Sequence, residues 1–184
     1  MGKGDIRDIK LKELRSQETS ESVKKSFLVM KKLLTIPEFS KSKEIFLYIS
    51  TNNEVDTLRI ADECLKSGKN VYGPITDKII EVGKIKSLDE LKPGKFGIKE
   101  PQISSKKDSF DIILVPGVVF DEYGSRIGHG GGYFDKFLSK THGKKIGLAF
   151  DFQVIKKIAS QPHDVPVDII ITEKRIIHIK NRKT

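Results

Sequence analysis

Between Asp111 and Leu138 the chain passes from an apolar run, Ile112-Ile113-Leu114-Val115, through Pro116-Gly117 and a turn at Asp121 to Gly124, into Gly128-His129-Gly130-Gly131-Gly132. Tyr133, Phe134, Phe137 and Leu138 then follow at helical spacings. A short apolar run closed by Pro-Gly reads as a fully buried strand of a parallel sheet. Four glycines in five residues let backbone N–H groups approach an anion closely, and a helix start behind them adds partial positive charge. Arg126, just before the loop, can add a charge-assisted contact. Asp135, one turn into the helix, stands where a carboxylate could hold a Mg²⁺ shared with phosphates.

The glycines alone describe a tight turn equally well. No Gly-x-x-x-x-Gly-Lys-Ser/Thr is present, so the loop is not a standard P-loop. A dinucleotide fingerprint starting at Gly128 would need its last glycine where Tyr133 stands. His129-Gly130-Gly131-Gly132 also looks like an esterase oxyanion loop, but the chain has no Gly-x-Ser-x-Gly elbow to go with it.

The 184 residues fit one domain, 1–184, read as N-terminal helices 1–36, an α/β core 44–179 and a basic tail 180–184. Charged residues at 32% and hydrophobics at 37% describe a soluble globular chain. No apolar run approaches the roughly 20 residues of a membrane span. The N-terminus is charged from Lys3 onward and has no signal-peptide core. A single cysteine, Cys64, rules out an internal disulfide and suits a reducing cytoplasm. With four histidines beside it, a structural zinc site is not expected. The net charge of +9 invites nucleic acid, but the lysines are scattered among carboxylates with few aromatics between them. Polyanionic small molecules explain the charge as well.

Taken in order, Asp5 to Arg15 reads as a helix with Ile6, Ile9 and Leu14 on its apolar stripe. Lys3 and Arg7 share a face if that helix starts early, and on spacing alone they are a solvated basic end. Val23 to Leu34 is a second helix with Val23, Phe27, Met30 and Leu34 on one side. Ile45 to Ile49 is a strand, followed by a polar loop and a helix, Thr57 to Lys66, capped by Asp56 and ended by Gly68. Glu54 therefore lies past a strand's carboxyl end, where ligands sit in open α/β sheets, although alone it is an ordinary loop residue. Asn70 to Tyr72 reads as a strand, Ile79 to Ile85 as a strand or hairpin, and Pro93 to Pro101 as an irregular connection. Lys145 to Ala149 is a strand, Gln153 to Ser160 a short helix, and Ile169 to Thr172 with Ile176 to Ile179 an edge hairpin. The expected class is α/β: an open, mostly parallel, Rossmann-like sheet flanked by helices, with a C-terminal edge hairpin.

These residues resemble the 5-formyltetrahydrofolate cyclo-ligase family, also called methenyltetrahydrofolate synthetase. The core of the likeness is Pro116-Gly117, Phe120-Asp121, Gly124, Arg126, Gly128, Gly130, Gly132-Tyr133 and Asp135. It extends to Lys3-x-x-x-Arg7, Ser50-x-x-x-Glu54, Phe96-Gly97-Ile98-x-Glu100-Pro101, Gly147-Leu148-Ala149-Phe150-Asp151-x-Gln153 and His163-Asp164-x-Pro166-Val167-Asp168. The resemblance implies ATP-dependent, Mg²⁺-requiring cyclisation of 5-formyltetrahydrofolate to 5,10-methenyltetrahydrofolate, with ADP and phosphate released. It assigns ATP to Lys3, Arg7, Arg126, Ile127, Gly128, His129, Gly130, Gly131, Gly132, Tyr133 and Phe134, and Mg²⁺ to Asp135 and Asp164. It assigns the folate to Ile49, Glu54 and Tyr133, with Arg126 and Tyr133 as the catalytic pair. The implied partners are small molecules alone, in a cytoplasmic monomer with no nucleic-acid or membrane partner.

The chain departs from the family pattern in three places. Phe134 stands where a second tyrosine is usual, so any role of that hydroxyl is absent or moved. His129 replaces a tyrosine or arginine and reads as a lid residue over the pocket. Ile75-Thr76 follows Pro74 where a basic residue is often found, which puts recognition of the folate glutamate tail in question.

Overall fold

A computed structural model describes residues 2–51, 54–94, 96–159, 161 and 164–180. The chain opens with α1 (Lys3–Ser16), α2 (Thr19–Thr35), the short α3 (Pro37–Lys41), β1 (Glu44–Phe46) and α4 (Thr57–Lys66). It continues through β2 (Asn70–Thr76), β3 (Ile80–Ile85), β4 (Lys92–Pro93), β5 (Lys99–Glu100), β6 (Ile103–Ser105), β7 (Ser109–Val115), β8 (Val119–Asp121) and β9 (Arg126–Ile127). It closes with α5 (Tyr133–Leu138), β10 (His142–Leu148), β11 (Val154–Ile155), β12 (Ile169–Ile171) and β13 (Ile176–His178).

The main sheet has the order β13-β12-β10-β7-β1-β2-β3-β6. Its five middle strands, β12 to β2, are parallel, and both edges are antiparallel. After β1 the chain lays down β2, β3 and β6 on one side, then returns to place β7, β10 and β12 on the other. The order reverses between β1 and β7, and an α/β sheet leaves its ligand crevice at the carboxyl ends of the strands flanking such a reversal.

Side-chain alternation along β7 explains both layers. Ile112 and Leu114 join one apolar cluster, with Leu14, Val29, Leu33, Phe39, Ile60 and Cys64 from the first four helices. Ile113 and Val115 point the other way, into a cluster with Phe46, Phe120, Phe137 and Leu138. The second face is closed by α5 and a small sheet ordered β11-β8-β9. Phe46 and Phe137 meet there with ring centroids 4.5 Å apart. Burying each fully is worth about 2 to 3 kcal/mol. Phe120 packs closely against bare backbone: a Cβ on Gly147 would fall 2.5 Å from its ring.

The parallel sheet and the C-terminal hairpin are as expected, but Ile9, read on the apolar stripe of the first helix, is exposed, the strand read from Ile45 to Ile49 is confined to Glu44–Phe46, and three further local readings differ. The buried face of α2 carries Ser22, Ser26, Val29, Met30 and Leu33, while Val23, Phe27 and Leu34 are exposed. Ser26 is buried because its hydroxyl accepts the Asp56 N–H at 3.2 Å, at the start of α4. A 3-10 turn, Asp151–Gln153, ends where the helix was expected to begin, and residues 154–159 are not helical. Gln153 donates to the carbonyls of Gly117 and Val118 and accepts from Phe150 N–H, Val154–Ile155 pairs with β8, and Asp121 Oδ2 takes the Ile158 N–H at 2.8 Å. These partners satisfy the backbone in an extended path, and Ser160 lies outside the described residues. Third, β2 continues through Pro74 to Thr76 because it runs past the last β1 pair at Phe46–Tyr72, and Pro74 faces only Val82 of β3. The expected basic tail beyond Lys180 lies outside the described residues.

Candidate functional site

The crevice at the β1–β7 reversal is a cavity of about 610 Å³. Every site residue expected from the sequence lines it, from Lys3 and Arg7 through Ile49 and Glu54 to the 126–135 segment and Asp164. Four segments bring these expected residues to it: the first turns of α1, the end of β1 and the loop after it, the stretch from β9 into α5, and the loop before β12.

β9 delivers Arg126, which is 6% exposed. Its guanidinium donates from Nη1 to the Val165 carbonyl at 2.6 Å and from Nη2 to Asp135 Oδ1 at 2.9 Å. Burial pulls Arg126 down from the ordinary arginine value, and the charges of Asp135 and Asp164 oppose that pull. Asp135 Oδ1 also accepts the Val165 N–H at 3.3 Å. Asp164 is paired in turn with Lys3, whose Nζ lies 2.6 Å from its Oδ2, and that oxygen also accepts the Gln161 N–H. Both aspartates therefore sit opposite cations of the kind that bind phosphate.

The glycine loop fits closely under α1. Gly130 has φ +107°, and a Cβ there would fall 3.0 Å from Arg7 Nη1. On Gly131 a Cβ would fall 2.7 Å from the Tyr133 ring. Larger residues would close the space between loop, arginine and tyrosine. Helix α5 spans only six residues, so the backbone amides of the loop matter more for an anion than the helix dipole does. His129 is exposed at the rim.

Past β1, Thr51 donates to Glu54 Oε2 from its N–H at 2.8 Å and its hydroxyl at 3.0 Å, which fixes the carboxylate at the cavity wall. Buried Tyr48 ties this loop by donating to the Val55 carbonyl at 3.2 Å. Burial, with the charges of Glu54 and Asp56, holds its phenol well above the usual value.

Sequence reading did not place the opposite wall. It consists of Pro74, Thr76, Ile80, Phe96, Ile98 and Glu100. Phe96 meets Tyr133 edge-on, with ring centroids 6.3 Å apart. The signal was present in the Phe96–Pro101 segment of the resemblance, but that stretch looked like a connection. The cavity thus joins a cationic, glycine-lined end to an apolar, aromatic end. It suits a polyanion meeting a flat organic molecule.

The model of the 5-formyltetrahydrofolate cyclo-ligase family matches residues 1–173. The chain belongs to that family. A probable 5-formyltetrahydrofolate cyclo-ligase of Caenorhabditis elegans is 32% identical, over 95% of this chain and 94% of the relative. The 5-formyltetrahydrofolate cyclo-ligase of Escherichia coli strain K12 is 27% identical, over 79% and 86%. The solved structure of Aquifex aeolicus 5,10-methenyltetrahydrofolate synthetase superposes with a TM-score of 0.89 at 34% identity, covering 100% of this chain and 96% of that one. The cyclo-ligase family is one of enzymes, and its fold is the one described above. Among the described residues no helix is long and apolar enough to cross a membrane.

Proposed function

We propose that this single-domain chain is a 5-formyltetrahydrofolate cyclo-ligase that uses ATP and Mg²⁺, forms 5,10-methenyltetrahydrofolate and releases ADP and phosphate. One observation carries the reading: the phosphate-suited end and the apolar end belong to one cavity, so a nucleotide's terminal phosphate and a pterin can meet there.

An amide oxygen leaves poorly. Transfer of the terminal phosphoryl group to the formyl oxygen makes an iminium phosphate. N10 of the folate then attacks the formyl carbon, the ring closes, and the carbon–oxygen bond breaks with loss of phosphate. In phosphoryl transfer a protein mainly positions groups and stabilises charge. Lys3, Arg7 and Arg126 neutralise the phosphates, and the backbone from Gly128 to Gly132 cradles them. Ile127, His129, Tyr133 and Phe134 flank the nucleotide. Ile49, Glu54 and Tyr133 hold the folate and turn its formyl group toward Arg126.

Asp135 and Asp164 suit Mg²⁺, which takes one or two carboxylates and completes its shell with phosphate and water. When bound, the ion neutralises charge on the phosphate oxygens. With the aspartates engaged by the ion, Lys3 and Arg126 would be available to the phosphates. The same reading keeps the enzyme a cytoplasmic monomer acting on small molecules, with no nucleic-acid or membrane partner.

The test mixes purified protein with 5-formyltetrahydrofolate, ATP and Mg²⁺ and follows the near-ultraviolet band of the methenyl product. A signal that disappears when any one component is omitted is expected. ATP binding with no methenyl product would move the activity to another formamide or amide.

A further inference from the structure

We propose that Glu100 is a specificity-determining residue whose carboxylate receives the paired N–H donors on the aminopyrimidinone edge of the substrate's pterin. The inference rests on the proposed folate activity and goes beyond it by fixing which way round the ring binds.

Glu100 ends β5 and is only 9% exposed, yet it lines the cavity beside Pro74, Thr76, Ile80 and Ile98. Its Oε1 accepts the Thr76 N–H at 3.0 Å. That is its only side-chain hydrogen bond among the described residues, and no cation of these lies in ion-pair range. A carboxylate has about four acceptor positions, so the single bond from Thr76 N–H leaves room for further donors from the cavity. Gly94 leaves the room that the carboxyl group occupies, since a Cβ there would collide with it.

A carboxylate held this way suits a flat ring that offers two adjacent N–H groups, which it can accept as a fork. The 2-amino group and N3–H of a reduced pterin form such a pair. The formyl group is carried by N5, on the other ring. Anchoring the amino edge at Glu100 therefore leaves the reacting ring for the part of the cavity that holds Tyr133 and the glycine loop.

The experiment compares 5-formyltetrahydrofolate with its 2-desamino analogue on the wild type and on Glu100→Gln. The variant keeps an oxygen for Thr76 N–H and replaces the other with an N–H donor. The wild type should prefer the amino compound by about tenfold or more in KM. Glu100→Gln should lose that preference, while the KM for ATP stays within about twofold. A variant that weakens both folates equally, or keeps the preference, would show that Glu100 only props β2 and would overturn the proposal. If the variant does not fold, the wild type still decides, because equal use of both compounds overturns the proposal. A wild type that uses neither compound overturns the folate reading itself.

Discussion

Lys3 Nζ lies 2.6 Å from Asp164 Oδ2, so the first turn of α1 is tied to the loop before β12 across 161 residues of chain. The two side chains are 27% and 13% exposed, which leaves the pair partly screened and worth at most about 1 kcal/mol. Lys3→Met should lower the melting midpoint by only about 2 to 4 °C. Its KM for ATP should rise about tenfold, the size expected for one lost charge-assisted contact. A large loss of stability with normal ATP use would show the pair to be a structural tie.

Asp135 bonds Arg126 directly and is proposed to hold the metal. Asp135→Asn keeps an acceptor for Arg126 and should fold. Its turnover should fall by about 100-fold or more, the scale for losing one preorganised electrostatic group. Circular dichroism and saturating single-substrate kinetics measure both. Undiminished turnover would remove Asp135 from the metal site.

Glu54 is held by two contacts from Thr51 and faces the cavity. In Glu54→Ala the KM for 5-formyltetrahydrofolate should rise about tenfold, as for one lost hydrogen bond to a charged group. ATP affinity, read by calorimetry, should be unchanged. Equal weakening of both ligands would place Glu54 at the phosphates or in the fold.

Cys64 is buried, and burial pushes its thiol from the ordinary value of 9.0 up to about 11. Below pH 9 the thiol is protonated in both folded and unfolded chains, so it adds no pH dependence. Between 9 and 11 only the unfolded chain ionises, which draws the equilibrium toward unfolding. Stability should fall there by up to about 1.4 kcal/mol per pH unit. Urea midpoints at pH 8, 9 and 10 should decline less steeply in Cys64→Ala. Equal slopes would mean the thiol is solvated in the folded state.

The part of the site carried by one continuous segment could be read from the chain. Arg126, the glycines and Asp135 lie within ten residues, and their chemistry follows from spacing. Lys3 and Arg7 are different: an exposed basic turn and a phosphate-facing one look alike until a fold sets α1 over the loop, and only family resemblance distinguished them. The wall with Phe96 and Glu100 was missed because β4 and β5 are two residues each, too short for any periodicity. The helix expected from Gln153 failed for a related reason. The amide of Gln153 bonds Gly117 and Val118, more than thirty positions earlier, and no local pattern announces such partners.

The contact of Lys3 with Asp164 also sets an order in time. During synthesis the glycine loop emerges with Arg126 and Asp135 well before Asp164 does. The cavity wall is complete only when Asp164 has been made, so its two aspartates come together late in the life of the nascent chain. A ribosome-bound chain ending before Asp164 would hold the loop and still lack one of the two carboxylates.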